Sequence, residues 1–299
     1  MARIAVIGVP TNGAGTADGV ALAPTALRNA GLIERLSHVA DVLDTGDVQF
    51  IAPSPSRDEK TGIIAPKTMV SMIVGVDAAV NSALEQGRFP LVLGGDCGLL
   101  LGCLNAARRL YGQAGLLFVD GHEDTYPPHQ SPTGESADME MGFALGCHIE
   151  NLPDTLATML PLITPADVAM LGVRDAEVLK SEGVASLAHA LSVRMVDDGA
   201  LMQGAATEIT QASLAYIGAG QRRWWLHTDL DVLTVEALAA VDYHQPGGLS
   251  WDVLTQIARV ACRTEGIVGW DITIYNPDLD TDGQQARRII EYIEAVIRG

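Results

Sequence analysis

Two stretches carry residues able to hold a divalent cation. In "LLFVDGHEDTYPP" an apolar run ends in Asp120, His122 and Asp124 at spacings of two, and in "WWLHTDLDV" another ends in Asp229 and Asp231 at the same spacing. Alternate side chains of an extended chain share a face about 6.6 Å apart, so carboxylate and imidazole arms can converge on one metal or a bridged pair. A third stretch, "LVLGGDCGLLLG", puts Asp96 and Cys97 just after an apolar run and a glycine pair. An isolated DxD is more often a solvated loop or a helix cap. Four aspartates clustered in one crevice would repel strongly unless some were protonated or cations offset them. Two divalent ions would supply that charge. Carboxylate-rich ligation with one imidazole suits manganese, with magnesium, iron or cobalt as competitors.

Such residues need strands to place them. Short apolar or β-branched runs alternate with longer amphipathic ones, the signal for a mainly parallel sheet covered on both faces. The strands are expected at Arg3 to Val9, Val39 to Leu43, Phe89 to Leu93, Gly115 to Val119, Asp167 to Gly172, Ser192 to Val196, Arg223 to Thr228 and Gly266 to Ile272. Helices are expected at Pro24 to Ala30, Thr68 to Gln86, Leu99 to Tyr111, Glu208 to Tyr216, Trp251 to Cys262 and Gln284 to Ile297. "IAPSPSRDEKTGIIAP" (Ile51 to Pro66) fits neither period and is expected to be an exposed loop. No linker or internal repeat divides the chain, so one domain over 1–299 and one continuous sheet are expected. Open α/β sheets bind ligands at the carboxyl ends of their strands, where these clusters would share one crevice.

Composition narrows the partners. The chain has 299 residues, with 19 Lys and Arg against 37 Asp and Glu, a formal charge of −18 that repels nucleic acid and anionic membrane alike. No apolar run reaches the roughly 20 residues of a membrane span. Cys97, Cys103, Cys147 and Cys262 lack CxxC spacing and "MARIAVIGVP" reads as a strand rather than a leader, which points to a reducing cytoplasm.

The stretches "IAVIGVPTNGAGTADGVALAPTALRNAGL", "GGDCG", "DGHED", "HTDLD" and "PGGLS" fall in the order and at roughly the spacings of the ureohydrolase family, which includes arginase, agmatinase and formimidoylglutamase. The resemblance to the family motifs GGDH, DAHxD and SxDxD spans nearly the entire chain. It implies a single three-layer α/β/α domain with an eight-stranded mostly parallel sheet, a binuclear manganese centre and a homo-oligomer, a trimer or hexamer. It also implies that Cys97, Asp120, Asp124 and Asp229 surround one ion and Asp120, His122, Asp229 and Asp231 the other, with Cys97 standing where most members have histidine. The implied reaction is hydrolysis of a linear C–N bond of a small cationic or polar guanidino or amidine compound, by attack of a metal-bridging hydroxide. Asp124 would hydrogen-bond that hydroxide.

Three departures bear on the substrate. The family's "DxxEVNP" is "DITIYNP" here, so its guanidinium-binding glutamate becomes Ile274. The loop histidine credited with proton transfer has no counterpart in "SPTGESADMEMGFALG", where Asp138 falls near its place and Glu135 and Glu140 flank it. The "DP" after the second DxD is Thr234 and Val235. Asp138 or Glu135 could replace the missing acid, or both could be solvated residues at a helix start. His129 and His244, on loops, are other candidate proton carriers, and Arg174 could meet the substrate or a neighbouring subunit, or pair with Asp175. A thiolate at Cys97 would favour zinc, iron or cobalt on its side of the centre; a thiol that stays protonated would leave that ion to carboxylates alone. Hydrolysis of a formimino or N-hydroxyguanidino compound, and a non-catalytic metal-binding role, stand as alternatives.

Overall fold

Runs that are apolar at every position are buried on both faces of a sheet only where helices cover both. A computed structural model, describing residues 2–299, forms eight strands, the six inner ones buried along nearly their whole length and the two edge strands more exposed. They are β1 (Arg3–Val9), β2 (Asp41–Asp47), β3 (Phe89–Gly94), β4 (Gly115–Val119), β5 (Val168–Gly172), β6 (Arg194–Asp197), β7 (Trp224–Asp229) and β8 (Ile267–Thr273). The sheet order is β2-β1-β3-β8-β7-β4-β5-β6, and every paired neighbour is parallel, where the expectation was mostly parallel.

Alternation along each strand divides the core in two. Ile4 and Val6 of β1 and Leu117 and Val119 of β4 face one helical layer, which includes Ala23–Asn29, Ala206–Tyr216, Trp251–Arg263 and Gln284–Arg298. Ala5 and Ile7, with Leu116 and Phe118, face the other, built on Pro66–Glu85 and Leu100–Tyr111. The result is a three-layer α/β/α arrangement. No helix among the described residues is long and apolar enough to cross a membrane.

The topology explains how distant motifs meet. β7 and β8 come late in the chain yet insert between β3 and β4. Because all strands run the same way, the residues after β3, β4, β7 and β8 leave one edge side by side.

The strand boundaries expected from sequence are met within two residues except at β2. That edge strand is largely exposed and polar, so its apolar pattern stops before its hydrogen bonding does. The helix Leu32–Ser37 and several short helices between residues 136 and 205 were too brief to show a period. The loop before Pro66 is only partly exposed. Ile63 is buried, and Arg57 donates to the carbonyls of Pro128 and Ser131, 2.7 and 2.9 Å away, bracing the loop that follows β4.

Candidate metal centre

Each cluster is placed by a turn that its own side chains close. After β3, Asp96 caps a short turn by accepting from the Gly98 amide at 2.9 Å, which buries Cys97. The preceding Gly95 passes so close to the 10–18 loop that a Cβ would lie 1.7 Å from the Thr11 carbonyl oxygen, so a side chain is excluded there. After β4, Asp120 Oδ1 accepts from the His122 amide at 2.7 Å, and after β7, Asp229 Oδ1 accepts from the Asp231 amide at 2.7 Å. These local bonds turn each strand end so that the alternate side chains point together.

The candidate ligand atoms converge in three overlapping groups: Cys97, Asp120, His227 and Asp229; Cys97, Asp124 and Glu140; Asp120, His122 and Asp231. Within each group they lie within 4.8 Å of one another. Every ligand expected from sequence therefore belongs to one connected cluster. The Cys97 thiol donates to Asp229 Oδ2 at 2.8 Å and lies 3.0 Å from Thr273 Oγ1 at the end of β8. His122 Nδ1 is 3.0 Å from Asp231 Oδ2.

His227 was not singled out from the sequence, and Glu140 was noted only as a flank of Asp138, not as a ligand. His227 sits two residues before Asp229, continuing the spacing of two that marked Asp229 and Asp231, and that periodicity was a readable signal. Glu140 is fully buried amid "MEMGFALG"; a lone acid in an apolar helix start was its only mark.

The electrostatics reflect crowded carboxylates. Burial pushes the Cys97 thiol well up, and Asp229 pushes it further, so the thiol keeps its proton. Burial also raises Asp124, Glu140 and Asp229 well above the usual carboxylate range, with neighbouring acids adding to the shift. Asp120 goes the other way: burial raises it, but the His122 and His227 imidazoles beside it outweigh that and hold it below the usual range. Glu140 Oε1 and Oε2, Asp120 Oδ2 and His227 Nε2 are buried with no hydrogen-bond partner among the described residues. Such orphaned groups are costly unless something satisfies them, and oxygen, nitrogen and sulfur donors at this spacing suit divalent cations.

A cavity of about 290 Å³ opens onto this cluster, with His122, Asp124, Asp229 and Asp231 in its lining. Tyr126, Asp138, Glu182, Tyr243, His244 and Ile274 line the rest of its wall. Asp138 is thus brought to the cavity, where Oδ2 accepts from the hydroxyls of Ser131 and Thr133, and burial raises its pKa. His129 is not brought there. It is exposed and lines a separate depression with His148 and Glu150, because the turn at residues 127–131 carries it away from the strand ends. His244 lines the cavity instead. Arg174 neither lines it nor pairs with Asp175 among the described residues; its Nη2 donates to the Asp231 carbonyl at 2.7 Å and braces that turn.

A parallel eight-stranded sheet between two helical layers is that of the arginase-like α/β proteins, and this one carries a buried Cys, Asp and His cluster at its carboxyl edge. The model of the Arginase family matches residues 2–297, and the chain belongs to that family of hydrolases. It is 26% identical over 295 residues to the arginase of Staphylococcus aureus strain MRSA252, spanning 97% of this chain and 95% of the relative. It is 28% identical over 299 residues to the arginase of Bacillus subtilis strain 168, spanning 98% and 97%. The arginase structure from Bacillus caldovelox superposes with a TM-score of 0.84 at 25% identity, covering 100% of this chain and 99% of that one.

Proposed function

We propose that the protein hydrolyses a linear C–N bond of a guanidino or amidine compound, using two divalent ions held among Cys97, Asp120, His122, Asp124, Asp229 and Asp231. Support comes from the convergence of these donors in overlapping groups beside buried, unpartnered carboxylate and imidazole atoms. Bound there, the ions would offset the carboxylate charge and bring the pKa of coordinated water to near neutrality. Manganese suits the His122 side, and zinc, iron or cobalt the side with Cys97.

The chain's own groups divide the remaining work. Asp124 presents its carboxylate at the cavity wall from a left-handed backbone (φ 49°), placed to accept a hydrogen bond from the attacking oxygen. Asp138, raised by burial, is placed to pass a proton to the amine that departs when the C–N bond breaks. Neither lysine nor arginine lines the cavity, whereas Asp138 and Glu182 do. A substrate whose far end is cationic or neutral therefore fits better than one bearing a carboxylate. Ile274 favours a second reading within the same class, a formimino or N-hydroxyguanidino compound, since no carboxylate stands at that wall position to meet a guanidinium. With the family resemblance come a single domain and a trimer or hexamer, and the scattered cysteines without CxxC spacing add a reducing, cytoplasmic setting.

The test is a panel of guanidino, N-hydroxyguanidino and formimino compounds given to metal-loaded protein and scored for urea, hydroxyurea and formamide. Release of one product that chelation abolishes is expected; silence across the panel at full metal occupancy would overturn the reading in favour of a non-catalytic role.

A further inference from the structure

We infer that His227 is a ligand of the Cys97-side ion, supplying from β7 the imidazole that β3 lacks, with Glu140 as an added carboxylate ligand on the same ion. The inference rests on the proposed metal-dependent reading of the same site. At position 227 the family motif SxDxD has serine, and at position 97 the motif GGDH has histidine. This chain has made both exchanges, so an imidazole has moved from one strand end to another that faces the same cluster.

The geometry is that of an oriented metal ligand. His227 is fully buried, and its ring stacks on Phe118 with centroids 4.7 Å apart and planes 18° apart. Nδ1 lies 2.5 Å from Asp271 Oδ2, and the other oxygen of Asp271 accepts from Trp225 Nε1 at 2.5 Å. A ligating histidine typically gives its second N–H to a carboxylate, which fixes the tautomer and turns the free lone pair on the metal. Here Nε2 is left unpartnered 3.6 Å from Asp120 Oδ2, itself unpartnered, and it groups with Cys97 Sγ and an Asp229 oxygen. A separation of 3.6 Å exceeds a hydrogen bond and suits two atoms ligating one ion. Glu140 approaches the same thiol from the opposite motif, with Asp124, and both its oxygens are orphaned. Cys97 belongs to both groups, so one ion beside it can draw on both.

Replacing a lost histidine in this way keeps one nitrogen donor on each side of the centre, His227 on one and His122 on the other. It also surrounds Cys97 with partners that suit thiolate ligation by zinc or cobalt.

The experiment loads metal-free full-length protein with zinc or cobalt and locates the ions by anomalous scattering in crystals. In parallel, affinities are measured by calorimetry for the wild type, His227→Asn, Glu140→Gln and Asp271→Asn. The expected results are an ion within about 2.0–2.2 Å of His227 Nε2, at least ~100-fold weaker binding at one site in His227→Asn, and ~10–100-fold weaker binding in Asp271→Asn. If His227→Asn does not fold, the wild-type anomalous map decides alone. Two bound ions with Nε2 beyond about 3 Å from both overturn this assignment and leave the hydrolase reading standing. An ion on His227 with no turnover across the substrate panel supports the assignment and overturns the hydrolase. Failure to bind any ion overturns both.

Discussion

Cys97 and Asp229, 132 residues apart in sequence, meet in a 2.8 Å hydrogen bond at the carboxyl edge of the sheet, the thiol donating to the carboxylate. A thiol that holds its proton against a carboxylate exchanges that proton for a cation when metal binds, so affinity at this side rises with pH and with metal softness. Cys97→Ser removes the soft donor but keeps a hydroxyl that can donate to Asp229. Zinc and cobalt should bind on the order of 10-fold or more weaker to the variant, with manganese affected less. Calorimetric titration of the three metals checks this; an equal loss for all three would show that sulfur is not a ligand.

Glu140 is buried without a hydrogen-bond partner, so in the metal-free protein it destabilises the fold. Glu140→Gln removes the need to keep that carboxyl protonated and should stabilise the metal-free chain by roughly 1–3 kcal/mol, while lowering metal affinity. Thermal melts with and without metal measure both effects. A variant less stable than the wild type in the metal-free state would contradict the account.

Arg174 reaches the carbonyl of Asp231 from the loop after β5 and fixes the turn that aims Asp231 at His122. Arg174→Lys cannot reproduce the planar fork. It should weaken binding at the His122 side by ~10-fold or more while leaving the order of preference among substrates unchanged, as read from metal titrations and relative kcat/KM over the panel.

Glu135 accepts a 2.8 Å hydrogen bond from the Oη of Tyr243, which lines the cavity. Burial raises its pKa, the Tyr243 bond lowers it, and Asp96, Asp138 and Asp242 raise it again, leaving it at about 7 against an ordinary 4.5. The folded state thus holds a proton that the unfolded chain releases first. That contribution to stability is complete below about pH 4.5 and is lost as pH rises through about 7. Buried Asp96 and Asp175, each raised to about 6, act with the same sign. Metal-free protein should therefore melt at lower temperature at pH 7.5 than at pH 5.5, and Glu135→Gln should flatten part of that slope. Parallel slopes for variant and wild type would refute the assignment.

Much of the centre is legible in the sequence alone. The β4 and β7 motifs announce themselves because carboxylates at spacings of two follow apolar strands, and in a parallel sheet both strand ends reach the same edge. Cys97 is found through its motif, although its thiol bond to Asp229 depends on β7 inserting beside β8, which no local pattern encodes. His227 is hidden by its own regularity: it reads as a strand residue until the sheet shows which face it occupies. Glu140 sits in a helix too short to have a period. His129 fails as a proton carrier because loop direction is set by packing, here by Arg57 holding the carbonyls of Pro128 and Ser131.

The cavity's charge bears directly on the substrate. With Asp138 and Glu182 in its wall and neither lysine nor arginine lining it, an amine-terminated guanidino compound should be turned over with kcat/KM at least ~10-fold above that of its carboxylate-bearing counterpart. Salt should narrow the difference.

The central claim is a two-ion hydrolytic centre, and metal content read against turnover tests it most directly. Protein stripped by chelation and reloaded with manganese, alone and with zinc or cobalt, should carry two ions per chain and release urea, hydroxyurea or formamide from one compound class only when loaded. Protein that takes up no divalent ion at neutral pH with metal in excess would contradict it.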